Sequence, residues 1–413
     1  MAVERLATGD VMAGPGAYSF GDEERAEVLD VLSTGHLSRY GDLSDPAFKH
    51  KVYSLEREFA DYLPVKHALA TNSGTAALLI SLLALGIGDG DEVLVPGFTY
   101  VASIAAIVHA RAVPVLVEVD ESLTIDPADA RRKITSKTRA VMAVHMLGNP
   151  CDMAALGDLA DEYGLHIVED VAQAAGGSFH GRRLGTFGTT GAFSFNRYKM
   201  MAAGEGGLLV SDDDDLYERA FALHDQGHSP LRASKTMPAA GLLGLNFKMS
   251  ELTGAVALAQ LRKLDAMLSA LRTRKALLRG AIAEMPGVGF RRLNDVVGEC
   301  ATMLTLVFDD AHYARKVAQR VGSPTLAESG WHVYSHMTQV GGHRTPVEGW
   351  SAPARFAAPG DLPNTDDLLR RSLNISIGVV DAGLGAAFGI NIRSTAAEIE
   401  TAADRLTEAC RTV

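Results

Sequence analysis

Between His67 and Asp170 one pattern recurs: a short apolar run, a few turn-forming residues, then a helical stretch. His67-Ala-Leu-Ala-Thr71 leads into Asn72-Ser73-Gly74-Thr75 and an apolar helix over 76–85. Glu92-Val-Leu-Val-Pro96 leads into Gly97-Phe98-Thr99-Tyr100 and a helix over 101–110. Apolar runs at 114–119, 139–147 and 166–170 follow, the last two separated by a helix over 152–163. Strands joined through helices pair in parallel, since each crossover returns the chain to the same edge. Runs that are apolar throughout need cover on both faces. The pattern therefore predicts an α/β fold with a mainly parallel sheet flanked by helices. In such sheets ligands bind at the edge where the strands end.

The stretch from Val168 to Gly207 carries that edge. The strand at 166–170 ends in Glu169-Asp170, and Gln173 follows three residues on. A second run, Gly191 to Phe195, holds Ser194 near its end. Lys199, Gly204-Glu205-Gly206-Gly207 and the apolar Leu208-Leu209-Val210 come next. Taken singly, each residue has a plain reading. Asp170 caps a helix, Lys199 is a surface lysine, and Ser73 or Thr75 is an N-cap. Taken as an ordered set, they supply an acid, an amide, a hydroxyl and an amine at one sheet edge.

Size and composition bound the rest. The chain has 413 residues, 47% hydrophobic and 22% charged, with room for a large and a small domain. The net charge of −11 argues against general nucleic-acid binding, which needs a basic face. Cys151, Cys300 and Cys410 are widely spaced and form no metal or disulfide pattern, as in a reducing compartment. The first residues show no basic-then-apolar signal, and no apolar run reaches membrane-spanning length. A cytoplasmic protein that binds neither membrane nor metal is expected.

Outside the sheet, residues 1–20 read as an extended arm, 21–32 and 52–62 as helices, and 36–44 as a solvated polar loop. In that loop Arg39 and Tyr40 are substrate-contact candidates. A loop spans 227–245. A helix is expected over 248–268 and, after a break, another over 270–285. Beyond Pro286 the alternation shortens, with a strand at 301–308 and helices at 311–321 and 396–410. Residues 1–268 are expected to form a large cofactor-binding domain and 269–413 a smaller α+β domain.

The ordered set matches the needs of pyridoxal 5′-phosphate. Helix N-terminal amides at Ser73-Gly74-Thr75 and the Ser194 hydroxyl suit a phosphate. Tyr100 offers an aromatic face to a pyridine ring. A carboxylate, Asp170, keeps the ring nitrogen protonated so that the ring acts as an electron sink. Gln173, about one turn away, can donate to the phenolic oxygen, and Lys199 can engage the aldehyde.

Residues 20–268 resemble the DegT/StrS-type keto-sugar aminotransferases. The resemblance is carried by NSGTAAL at 72–78, VLVPGFTYVAS at 93–103, VHMLGNPCDM at 144–153 and VEDVAQAAGG at 168–177. SFNRYK at 194–199, GEGG at 204–207 and NFKMSELTGAVALAQL at 246–261 extend it. It implies the aspartate-aminotransferase fold (fold type I) and pyridoxal 5′-phosphate. It makes Lys199 the Schiff-base lysine and pairs Asp170 with the ring nitrogen and Gln173 with the phenolic oxygen. Tyr100 takes the stacking position, and Gly74, Thr75 and Ser194 bind the phosphate. Asn246, or its neighbour Lys248, is implied to reach the phosphate of a second subunit, which implies a homodimer with shared sites. The implied reaction moves an amino group from glutamate or glutamine to a keto-sugar, nucleotide-linked, in amino-sugar or antibiotic biosynthesis. A cyclitol acceptor is the alternative. Sugar dehydratases on this scaffold carry histidine where Lys199 stands, and a regulator would carry an added DNA-binding segment.

Two stretches depart from the family: Asn196-Arg197-Tyr198, and residues 373–393 near the C-terminus. Trp331-His332-Val333-Tyr334 reads equally as substrate-facing or as core. His145 reads as a structural hydrogen-bonder, which leaves Lys199 to move protons.

Overall fold

The structure, a computed structural model, describes residues 12–230, 242–282, 284–341 and 356–412. The first eleven residues of the expected arm, and 231–241 of the expected loop, lie outside the described residues. Strands β1 (His67–Thr71), β2 (Glu92–Pro96), β3 (Val113–Val117), β4 (Thr138–Val144) and β5 (His166–Asp170) come first. A small ribbon of β6 (Ser178–Phe179) and β7 (Arg182–Arg183) follows, then β8 (Thr190–Ser194) and β9 (Gly207–Ser211). Seven of these strands form one sheet, in the order β1-β9-β8-β5-β4-β2-β3. β8, β5, β4, β2 and β3 run in parallel. β9 alone runs antiparallel, between β1 and β8. Thr71, Pro96, Val144, Asp170 and Ser194 therefore all end at one edge, and Gly207 begins there.

Side chains alternate across the sheet, as a pleated strand requires. Val93, Val95, Met142, Val168 and Leu209 face helices α4 (Gly74–Ala84) and α5 (Val101–His109) and, later in the chain, α8 (Asp214–His224). Leu94, Val141, Phe193, Leu208 and Val210 face the opposite layer. That layer comprises α3 (Lys51–Tyr62), α7 (Met153–Tyr163) and α9 (Glu251–Ala281). Helices α1 (Pro15–Tyr18), α2 (Asp22–Leu32) and α6 (Pro127–Lys133) complete this part. Several helices start where a side chain takes up an orphan amide. Ser73 accepts from Ala76, Asp152 from Ala155 and Asp213 from Leu216.

Three expectations need correction. The break at 269 is absent, because no Gly or Pro interrupts 255–279 and α9 runs unbroken through it. Arg39 is not in a solvated loop but is 2% exposed. It is held bidentate by Glu56 at 3.0 Å and donates to His224 Nε2 at 3.1 Å. The arm is extended only in part: Pro15–Tyr18 is a helical turn, with Pro15 and Gly16 buried.

From α9 the chain enters a second sheet, β10 (Val288–Phe290), β11 (Met303–Phe308) and β12 (Ser372–Ser376), antiparallel throughout. Helices α10 (Ala311–Val321), α11 (Thr338–Gly341), α12 (Pro363–Arg370) and α13 (Ala396–Arg411) accompany it. Among the described residues no helix is long and apolar enough to cross a membrane. All three cysteines are free and buried.

Candidate active site

The loops after β1, β2, β4, β5 and β8 converge on a cavity of about 480 Å³. Ser73, Gly74, Thr75, Tyr100, Asp170, Gln173, Ser194 and Lys199 all line it. Of the nine residues assigned to the cofactor from the sequence, Asn246 lies elsewhere. It forms a backbone bridge with Asp225, whose carboxylate is paired with Lys248 Nζ.

One end of the cavity is the head of α4. Ser73 is extended and caps Ala76, leaving the amides of Gly74 and Thr75 without an intrahelical acceptor. A Cβ on Gly74 would stand 2.7 Å from the Ser194 Cβ, and one on Gly207 would stand 2.4 Å from the Ser73 carbonyl. Glycine at both positions lets β8, β9 and the helix head touch backbone to backbone. The Ser194 hydroxyl is thereby brought beside free amides at a positive helix end, which is an anion site.

At the end of β5, Asp170 is 6% exposed. Its Oδ2 accepts from Ser103 Oγ at 2.8 Å and its Oδ1 from the Ala172 amide at 3.1 Å. Ser103 is linked in turn to Thr99 Oγ1 at 2.7 Å. Each carboxylate oxygen keeps a lone pair for a further donor. Gln173 Oε1 accepts from the Leu147 amide at 2.9 Å, so the two N–H groups of its amide remain to donate into the cavity.

Lys199 lines the same cavity. Its Nζ is 6.0 Å from the centre of the Tyr100 ring. Burial pushes its ammonium below the ordinary lysine value, against the pull of Asp170 and Asp381. The lysine loop is pinned from three sides. The Gly14 and Gly16 amides donate to the carbonyls of Arg197 (3.0 Å) and Lys199 (3.2 Å), and Gln260 accepts from the Ala202 amide at 3.2 Å. Asn196 holds the Tyr198 amide and Glu205.

The segment at 331–334 divides. Trp331, 60% exposed, and His332 line the cavity, whereas Tyr334 is 1% exposed in the core with its hydroxyl on Asp366. His332 lies 5.3 Å from the Tyr100 ring. Burial, and then the charge of Lys199, pushes its pKa down to about 4. His145 is structural. The Cys151 amide donates to its Nδ1 at 3.0 Å, which places the proton on Nε2, and Nε2 meets Glu169 at 3.1 Å. Both residues are fully buried.

The sequence reading missed Ser103 and Asp381. Ser103 left a signal, as the one polar side chain within the apolar helix over 101–108. Asp381 left none. It lies in the unfamiliar C-terminal stretch and reaches the cavity through a turn in which its Oδ1 takes the Gly383 amide.

A model of the DegT/DnrJ/EryC1/StrS aminotransferase family matches residues 19–379. The chain belongs to this family. It is therefore an aminotransferase that works with pyridoxal 5′-phosphate. Relatives include a GDP-perosamine synthase of Vibrio cholerae, 40% identical over 65% of this chain and 70% of that protein. An L-glutamine:2-deoxy-scyllo-inosose aminotransferase of Streptomyces kanamyceticus is 36% identical over 73% of this chain and 72% of that protein. The crystal structure of 3-amino-5-hydroxybenzoic acid (AHBA) synthase superposes with a TM-score of 0.78 at 27% identity, covering 98% of this chain and all of that one. The fold is that of the aspartate aminotransferases. The cavity fits the cofactor. Its lining joins an anion site, a buried acid with spare lone pairs, and a lysine amine 6.0 Å from the centre of an aromatic ring.

Proposed function

We propose that the chain transfers an amino group from glutamate or glutamine to a keto-sugar carried on a nucleotide. The observation that carries this reading is the single cavity that joins Lys199, Asp170 and the Gly74–Ser194 anion site. In this reading Lys199 carries the cofactor. Asp170 meets the ring nitrogen, Gln173 the phenolic oxygen and Tyr100 the ring face. Ser73, Gly74, Thr75 and Ser194 receive the phosphate. When bound, the cofactor draws electrons from the carbon that bears the amino group. Lys199 Nζ, held below its ordinary pKa, takes the proton from the donor's α-carbon and later returns one at the acceptor. Ser103 Oγ and the Ala172 amide hold the Asp170 carboxylate in place for that partner. Trp331 is exposed at the mouth of the cavity that His332 and Asp381 also line, and the two substrates enter there in turn.

The perosamine relative supports a nucleotide-linked sugar, and the inosose relative supports a cyclitol as the second reading. Retention of lysine at 199 speaks against the dehydratase reading. We further propose a cytoplasmic homodimer in which Asn246 or Lys248 completes the partner's phosphate site, with residues 1–268 and 269–413 as its two domains.

Lys199→Ala should abolish the near-visible absorbance of the bound cofactor, and an unchanged spectrum would refute the assignment. Conversion of the cofactor by glutamate or glutamine, followed by a screen of keto-sugars and cyclitols, identifies donor and acceptor. A monomer by light scattering that still retains cofactor would exclude the shared site.

A further inference from the structure

Behind Gln173, residues from both sheets meet at one backbone unit. After β4 the chain turns at Met146–Gly148, and Leu147 sits in the left-handed region at φ 55, ψ 33. Such a residue persists only where its neighbours over-determine it. Both backbone groups of Leu147 are engaged. Its N–H donates to Gln173 Oε1 at 2.9 Å. Its carbonyl accepts from Arg291 Nη2 at 2.8 Å and from Thr302 Oγ1 at 3.1 Å. Arg291 Nη1 donates to the Met146 carbonyl at 3.2 Å, and the Cys300 amide donates to Gly148 at 2.9 Å.

Arg291 follows β10 and is 5% exposed. Its Nε has no partner among the described residues. Its side chain donates to the neutral carbonyls of Met146 and Leu147, and the charge that opposes its burial, Glu299, is paired with Lys275 at 2.6 Å. A guanidinium buried this way is a weak source of stability. Its geometry serves a different end. An amide side chain keeps its shape when its oxygen and nitrogen exchange places, and only the neighbours decide which end points where. Here the Leu147 N–H demands the oxygen.

We infer that Arg291 is a positioning residue for the cofactor: through Leu147 it fixes the Gln173 amide with its N–H groups toward the cavity. If Leu147 relaxed to a common backbone conformation, its N–H would turn away and Gln173 would lose its orientation. Thr302 supports the same carbonyl. The inference rests on the reading that Gln173 meets the phenolic oxygen.

The test uses holoenzyme and reads the visible absorbance maximum and the cofactor dissociation constant. Gln173→Ala should shift the maximum. Arg291→Met should reproduce that shift and weaken cofactor binding about tenfold. In the Gln173→Ala background the same change should add less than about twofold. Arg291→Lys should restore most of the wild-type spectrum. A folded Arg291→Met protein with the wild-type spectrum overturns the inference, and so does a shift that adds fully to that of Gln173→Ala. If Arg291→Met does not fold, Thr302→Val removes one bond from the Leu147 carbonyl. It should then give a smaller shift in the same direction, and no shift overturns the inference. An unchanged spectrum in Gln173→Ala overturns it through the Gln173 assignment, while normal transamination by the wild type leaves the aminotransferase reading standing.

Discussion

Ser103 Oγ donates to Asp170 Oδ2 across 2.8 Å, from the first turn of α5 to the end of β5. The bond fixes the orientation of the carboxylate. Ser103→Ala removes one hydrogen bond to a charge, a loss of about 1.5–3 kcal/mol. Turnover and cofactor retention should fall by about tenfold or more, and Asp170→Asn should be far worse. Steady-state kinetics with cofactor titration check this, and wild-type values in Ser103→Ala would show that the Ala172 amide suffices.

Lys199 is held below its ordinary pKa by burial, so the apoprotein pays for its charge at neutral pH. Between the folded pKa and 10.5 the unfolded chain binds more protons than the native one, so stability rises with pH across that window. Lys199→Met should therefore raise the melting temperature of the apoprotein at pH 7 by about 2 °C or more. The gain should shrink as pH approaches 10.5. A less stable Lys199→Met apoprotein at pH 7 would contradict this.

His224 and His332 are both buried neutral. Burial, and then the charge of Arg39 facing its Nε2, pushes the pKa of His224 down to about 3, against the Nδ1 bond to the Phe221 carbonyl at 2.8 Å. Above pH 6.5 neither histidine binds a proton in either state. Below it the unfolded chain takes up protons that the native chain refuses, down to about 4 for His332 and about 3 for His224. Stability should fall by about 1.4 kcal/mol per pH unit for each histidine below their unfolded pKa. Denaturant melts between pH 6.5 and 5 measure the slope. His224→Gln should remove roughly one histidine's share of it.

Trp331 is 60% exposed at the open side of the cavity. A broad ring there suits the apolar face of a sugar. Trp331→Ala should raise the KM for the acceptor about tenfold and leave the donor half-reaction and the melting temperature nearly unchanged. A large drop in thermal stability would assign the ring to packing instead.

The sequence alone determined the sheet and the chemistry of its edge. Period and length of the apolar runs dictate buried strands, and the crossover helices dictate their direction. A helix head, an aromatic, an acid with an amide, then a serine and a lysine, in that order, are local signals, and eight of the nine residues they assign to the cofactor fall in one cavity. What the sequence left undecided is non-local. The burial of Arg39 on Glu56 and His224 and the Ser103–Asp170 bond join residues with no common spacing. Nor does periodicity show that Arg291 would hold the carbonyl of Leu147 while the Leu147 amide holds Gln173. Those contacts depend on which backbones approach each other, and only the packed chain, with Gly74 and Gly207 letting strand and helix touch, decides that.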